Sequence, residues 1–165
     1  MLGWRGHERT GETMLERSII AAAFLLMLTP AVAGPDSDIA RKFGLFGTWA
    51  VDCSKPPSND NTYEEYTPSA TGYPTRTWYR KKGDRYASAQ SFEMRNVRIV
   101  GSDRLAYLDV RKADGDLTNI VLAKVGNRHR SHEAVDPKDG KVYIRDGKLV
   151  GSGKPTELFQ KCPGF

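Results

Sequence analysis

Tight-turn signals recur at an almost even beat, and that beat limits the fold more than any other feature of the chain. Lys82-Gly83-Asp84 is followed by Gly101-Ser102-Asp103, Asp114-Gly115, Gly126-Asn127, Asp139-Gly140 and Asp146-Gly147. After the first gap the spacing is roughly the 8–12 residues that separate short strands in all-β sandwiches and barrels. Gly, Asn and Asp tolerate the positive φ that tight hairpins need. The runs between the turns are rich in Val, Ile, Tyr, Thr and Leu. No window after residue 45 carries a helical period. The expected fold is therefore all-β: a small antiparallel meander closed as a barrel.

Alternation along the runs assigns faces. Leu105, Tyr107 and Asp109 oppose Ala106, Leu108 and Val110. Leu117, Asn119, Val121 and Ala123 oppose Thr118, Ile120, Leu122 and Lys124. Val142 and Ile144 oppose Lys141, Tyr143 and Arg145. Two central runs are apolar on much of both faces. One face fills an interior, and the other is left for a partner, a second copy or a covering loop. Residues 56–61 and 68–74 read as loops from their Pro, Ser, Asn and Gly content.

Near the start lies Phe46-Gly47-Thr48-Trp49-Ala50-Val51-Asp52-Cys53, which reads as the first strand. Upstream, Ser37 or Asp38 could cap a short helix through residues 39–43, with Gly44 ending it. A short helix followed by Gly-x-Trp resembles the opening of lipocalin-like and avidin-like barrels. That resemblance implies that Trp49 plugs the closed end. The longer string, continuing through Ser54-Lys55-Pro56-Pro57-Ser58 to Asn61-Thr62-Tyr63, resembles an uncharacterised family of short secreted proteins from Gram-negative bacteria. The same family shows a late Asp-Gly turn, here Asp146-Gly147, and a final strand and cysteine, here Glu157-Leu158-Phe159-Gln160-Lys161-Cys162. The resemblance implies export and a disulfide, and it carries over no catalytic residue.

The N-terminal residues fit export independently. Residues 19–28 form an unbroken apolar run, too short to span a bilayer, which takes about 20 residues. Ala31-Val32-Ala33 follows, with small residues suited to signal peptidase. The expected division is a signal peptide over 1–33 and one barrel domain over 34–165, with Met14 as an alternative start. The expected location is periplasmic or secreted, with no transmembrane span in the mature form. The leader's acidic and basic residues cancel, so the remainder keeps the net charge of +5. A moderate positive charge favours anionic neighbours. Export argues against nucleic acid.

Two cysteines, Cys53 and Cys162, are the chain's only ones, and in an oxidising compartment an even count implies a bridge. Both cysteines end their strands by this reading. If the first and last strands paired antiparallel, those ends would lie far apart, beyond the roughly 7 Å that a disulfide spans. Either the strand count is odd or the tail after Phe159 bends across the barrel end.

Candidate binding residues are sparse. Arg76, Trp78 and Arg80 share one strand face, and Arg128, Arg130 and His132 share another. Guanidinium groups interleaved with aromatic rings can grip carboxylates, phosphates or sugars. Pointing inward they would make an anion-binding cavity; the expected orientation is outward, as solvated faces. Trp49 joins them as a possible ligand platform at the barrel floor. His129 and His132 have a metal-like spacing, but on a strand that spacing sends the rings to opposite faces, and they read as two solvated histidines. No metal or cofactor is expected. Gly151-Ser152-Gly153-Lys154 fails as a phosphate loop, since Pro155 stands where Ser or Thr is needed. Glu64 and Glu65 are adjacent, so they point apart.

These residues suggest a non-enzymatic β-barrel binding module for a small amphipathic or anionic ligand. The alternative is an envelope-associated interaction or inhibitor module with a solid barrel, whose Pro-rich loop and apolar outer face meet a partner protein.

Overall fold

The computed structural model describes residues 34–82 and 85–163, with the main chain only over 80–82 and 85–89. The expected leader, and the turn at Gly83-Asp84, lie outside the described residues. The chain opens with α1 (Pro35–Phe43) and continues through β1 (Gly47–Ala50), β2 (Tyr63–Thr67), β3 (Thr75–Lys82), β4 (Arg85–Val100), β5 (Arg104–Arg111), β6 (Leu117–Val125) and β7 (Arg128–Val135). It ends with β8 (Val142–Arg145), β9 (Lys148–Leu149) and β10 (Phe159–Lys161). Strands β1 to β7 form an antiparallel meander, and β10 lies between β7 and β1, closing an eight-stranded barrel. Closure removes the exposed sheet edges that invite aggregation.

The hairpin turns form where the Gly, Asp and Asn signals lie. Asp146 and Gly147 both adopt positive φ, 49° and 71°, as the tight β8–β9 connection requires. The helix begins differently from expectation. Neither Ser37 nor Asp38 caps it: Gly34 is the N-cap, without a side-chain cap bond, and Pro35 takes the first turn. Proline is suited there because its missing N–H would be unpaired anyway. Gly44, at φ 83°, ends the helix as expected.

Helix α1 packs against β4 and covers one end of the barrel. Its anchor is Asp36, whose carboxylate accepts hydrogen bonds from the main-chain N–H groups of Asn96 and Val97, both 3.0 Å. Those donors are free because the β4–β5 register shifts between Arg95 and Arg98. A bulge leaves a residue out of the ladder, and the helix supplies its acceptor. Ala40, Phe43 and Leu45 then join Trp49, Tyr66, Met94, Val97, Leu105, Tyr107, Ile120, Leu122, Ala134 and Phe159 in the main core. Trp49 is buried in this core, and its indole N–H donates to the Leu45 carbonyl at 2.6 Å. The interior is filled by side chains: Tyr66, Tyr107, Met94, Leu105 and Leu122 are all fully buried.

Cys53 and Cys162 are bridged, with Cα atoms 5.5 Å apart. Neither expected topology produces this. The barrel has an even number of strands, and β1 pairs antiparallel with β10 (Trp49 opposite Lys161, Ala50 opposite Gln160). The tail stays in the ladder too, since the Cys162 N–H donates to the Thr48 carbonyl at 2.8 Å. It is the other partner that bends. The ladder stops at Ala50, and residues 51–54 turn back over the outer face of β1. Cys53 thereby joins Ala50, Tyr63, Tyr79 and Cys162 in a small second cluster.

Strand β10 is a narrow stave. It meets β7 through Phe159–His129 and Gln160–Arg128 alone, and β1 through two further pairs. Opposite its β6 edge, strand β7 therefore serves two neighbours: β10 at its first two residues and β8 at its last two. Between those neighbours the wall parts. The β8–β9 hairpin hangs beside the barrel, held by Thr156, whose hydroxyl donates to the Ser131 carbonyl at 2.8 Å.

Candidate functional site

The inward positions of β2, β3 and β5 bring three charges together. Glu64 and Tyr66 point inward from β2, Arg76 and Trp78 from β3, and Tyr107 and Asp109 from β5. Arg76 is 3 % exposed. Its guanidinium donates to Glu64 Oε1 at 3.2 Å and to Asp109 Oδ2. It also lies over the rings of Trp78 and Phe92, 4.7 and 4.8 Å from their centroids. Glu64 collects two more donors, the Tyr66 hydroxyl at 2.6 Å and the Trp78 indole N–H at 2.7 Å.

Two buried carboxylates thus share one cation. Glu64 has three donors, whereas Asp109 has only Arg76, and its Oδ1 has no partner among the described residues. Burial outweighs the neighbouring guanidinium, and the charge on Glu64 adds to it, so the Asp109 carboxyl is pushed up to about 6. Charges without matching partners are costly inside a protein, and raising one pKa is the cheapest relief.

This network ends at the parted wall. A cleft of about 330 Å³ lies between the β8–β9 hairpin and β10, and Glu64 and Trp78 line it. Ile144, Leu149, Pro155 and Phe159 supply apolar surface; Asn59, Thr62, Ser131 and Thr156 supply polar groups. Apolar walls with a few fixed polar groups are what small-molecule sites require. A larger hollow, about 380 Å³, lies outside the barrel against the disulfide and is lined by Cys53, Pro56, Pro57, Tyr63 and Tyr79. Its hydroxyls are already engaged: Tyr79 donates to Glu65 at 2.6 Å, which pushes its pKa up to about 12, and Tyr63 donates to the Lys55 carbonyl at 2.7 Å. Thr48, Ser54, Lys55 and Glu65 complete its lining.

The residues singled out from sequence are dispersed. Arg76 and Trp78 point inward, not outward as expected, and Arg76 is committed to two carboxylates. The side chain of Arg80 lies outside the described residues. Trp49 is in the core at the helix end. Arg128 is exposed at the start of β7, and Arg130 is half-buried, its stem lying beside Gly147. His129 is not solvated: it is 2 % exposed. A bulge in β7, where Leu122 faces Ser131 and Val121 faces Glu133, leaves His132 outside the ladder. Glu64 and Asp109 were missed. The available signal was a charge among aromatics on three alternating faces, with opposite signs that meet only across strands. Among the described residues no cluster of His, Cys, Asp and Glu could hold a metal ion. No helix among them is long and apolar enough to cross a membrane.

The fold and site define a closed antiparallel β-barrel with a filled interior and a cleft in its wall. No protein family, curated protein or solved structure matches the chain.

Proposed function

We propose that this is a non-enzymatic binding module of the periplasm or extracellular space, which takes a small amphipathic ligand in the cleft beside β10. The observation that carries the reading is the position of the Glu64–Arg76–Asp109 network, which reaches the surface at that cleft through Glu64 and Trp78. Because the interior is filled, this reading puts the ligand in the wall and not in a central calyx. Its apolar part would lie on Trp78, Phe159 and Leu149. Its polar part would be a hydrogen-bond donor or a cation, because Glu64 and Asp109 outnumber Arg76. An anionic group does not suit this cleft, since Arg76 is already shared by two carboxylates. Support for a non-catalytic role comes from Glu64: both of its oxygens accept hydrogen bonds, which leaves it poorly placed to take a proton from a substrate. The disulfide fits an oxidising compartment.

The test is native mass spectrometry of the protein released from its own periplasm, beside Trp78→Ala. A reproducible low-mass adduct that the substitution removes is the expected result. A bare protein mass, or an adduct indifferent to Trp78, overturns the reading.

A second reading has its own support. The apolar trough beside Pro56 and Pro57, together with exposed Tyr143, Leu149 and Val150, suits an interaction or inhibitor module. A polypeptide retained in the same mass spectrum favours it.

A further inference from the structure

His129 is a buried group that the cleft does not use. Its ring is stacked on Phe159, with centroids 5.7 Å apart and planes at 19°. Trp49 lies 4.4 Å away and the edge of Tyr66 6.0 Å away. Neither ring nitrogen has a hydrogen-bond partner among the described residues. Leaving a buried donor or acceptor unpaired costs about 1–3 kcal/mol. Phenylalanine would fill the same aromatic slot without that cost, so packing alone does not account for a histidine here.

The ring borders a separate cavity of about 220 Å³ at the helix end of the barrel. Phe43, Leu45 and Trp49 form apolar walls; Lys124, Arg128 and Asn127 complete the lining, and no carboxylate is among the lining residues. The Lys124 ammonium rests 4.2 Å over the Phe43 ring, and Arg128 is exposed. Neither cation forms an ion pair among the described residues. Two unpaired cations, an unpartnered buried imidazole and aromatic walls meet at one small space.

We propose that this cavity binds the carboxylate of a small, apolar-bodied organic acid. The anion is held by Arg128 and Lys124 close to the His129 ring, and the body lies against Trp49 and Phe43. The size of the cavity restricts the acid to one ring or a short alkyl chain. The charge rule is the reverse of that at the cleft, so one barrel offers two sites of opposite preference.

His129 also reports on occupancy. Burial is the main reason its pKa is lowered, to about 4; Arg76 lowers it further and Glu64 opposes. Tyr66, Lys124 and Arg128 are the other titratable groups around it. A carboxylate placed at the ring favours the imidazolium and must raise that pKa.

Benzoate is the probe, with benzylamine as the cationic control, followed through the imidazole C–H signals in two-dimensional NMR. Benzoate should shift the His129 signals saturably and move their titration midpoint upward; benzylamine should do neither. Arg128→Gln should weaken benzoate binding by about tenfold, and Lys124→Gln should do likewise. Both positions are exposed, so the fold should survive either change, and benzoate binding unaltered in both variants overturns the proposal. His129 signals unmoved by benzoate, or moved equally by benzylamine, overturn the proposal.

Discussion

Removing the bridge should cost this barrel more than its hydrogen bonding at the seam can restore. Take the double substitution Cys53→Ser, Cys162→Ser. The two cysteines are 109 residues apart, and closing a loop of that length lowers the entropy of the unfolded chain by an amount worth about 4.7 kcal/mol at room temperature. The native geometry contributes little to offset this, because β10 holds to each neighbour through only two residue pairs. For a domain of this size, each kcal/mol is worth about 3–4 °C. The melting temperature should therefore fall by about 15 °C. Calorimetry of the oxidised protein, the reduced protein and the double variant supplies the measurement. The reduced protein and the variant should melt together, well below the oxidised protein. A fall of less than about 4 °C would refute the reasoning, because the seam would then be held by something other than sulfur.

Arg76→Met should destabilise the fold by about 3–5 kcal/mol in denaturant titration, since it leaves Glu64 and Asp109 buried without their shared cation; a loss under 1 kcal/mol, by about the scale of an exposed pair, would count against the network. Asp36→Ala should cost about 2 kcal/mol, because two main-chain N–H groups at the β4 bulge lose their acceptor, and faster hydrogen exchange at Asn96 and Val97 would register it. The pH dependence has two opposed parts. Asp109 is pushed up to about 6 from 3.8, so its burial is tolerated at low pH and stability is lost as pH rises through that window. His129 is lowered to about 4 from 6.5, so its contribution is present above that window and is lost as pH falls through it. At roughly 1.4 kcal/mol per pKa unit each effect is about 3 kcal/mol, and in the native protein they nearly cancel. Relative to the native protein, Asp109→Asn should lose stability on going from pH 6 to pH 4, and His129→Phe should gain it. Parallel pH curves for all three proteins would show the two groups to be titrating normally.

Local chemistry was legible in the sequence, and chemistry made across strands was not. Gly101, Gly115, Gly126 and the Asp146-Gly147 pair adopt positive φ because a tight turn needs it whatever surrounds them. Strand alternation placed Leu105, Tyr107 and Asp109 on one face correctly. It failed at Cys53, because it assumed that the strand ran on to the cysteine, whereas pairing stops at Ala50. Arg76 read as a solvated residue because its partners are 12 and 33 residues away, and no local pattern reports a charge balanced at that distance. The burial of His129 could have been deduced. If Arg128 and Arg130 face solvent, the residue between them faces the core.

The narrow stave between β7 and β1 has a further consequence for how the molecule comes into being. The hoop is completed by residues 159–161, so seven strands must wait as a curled ribbon with two adhesive rims until that segment arrives. Once Cys162 is bridged to Cys53, a cut in the stretch just before that segment would still leave this final slat tied to the ring. Until the ring is shut, both rims are open to pairing with other copies of the chain.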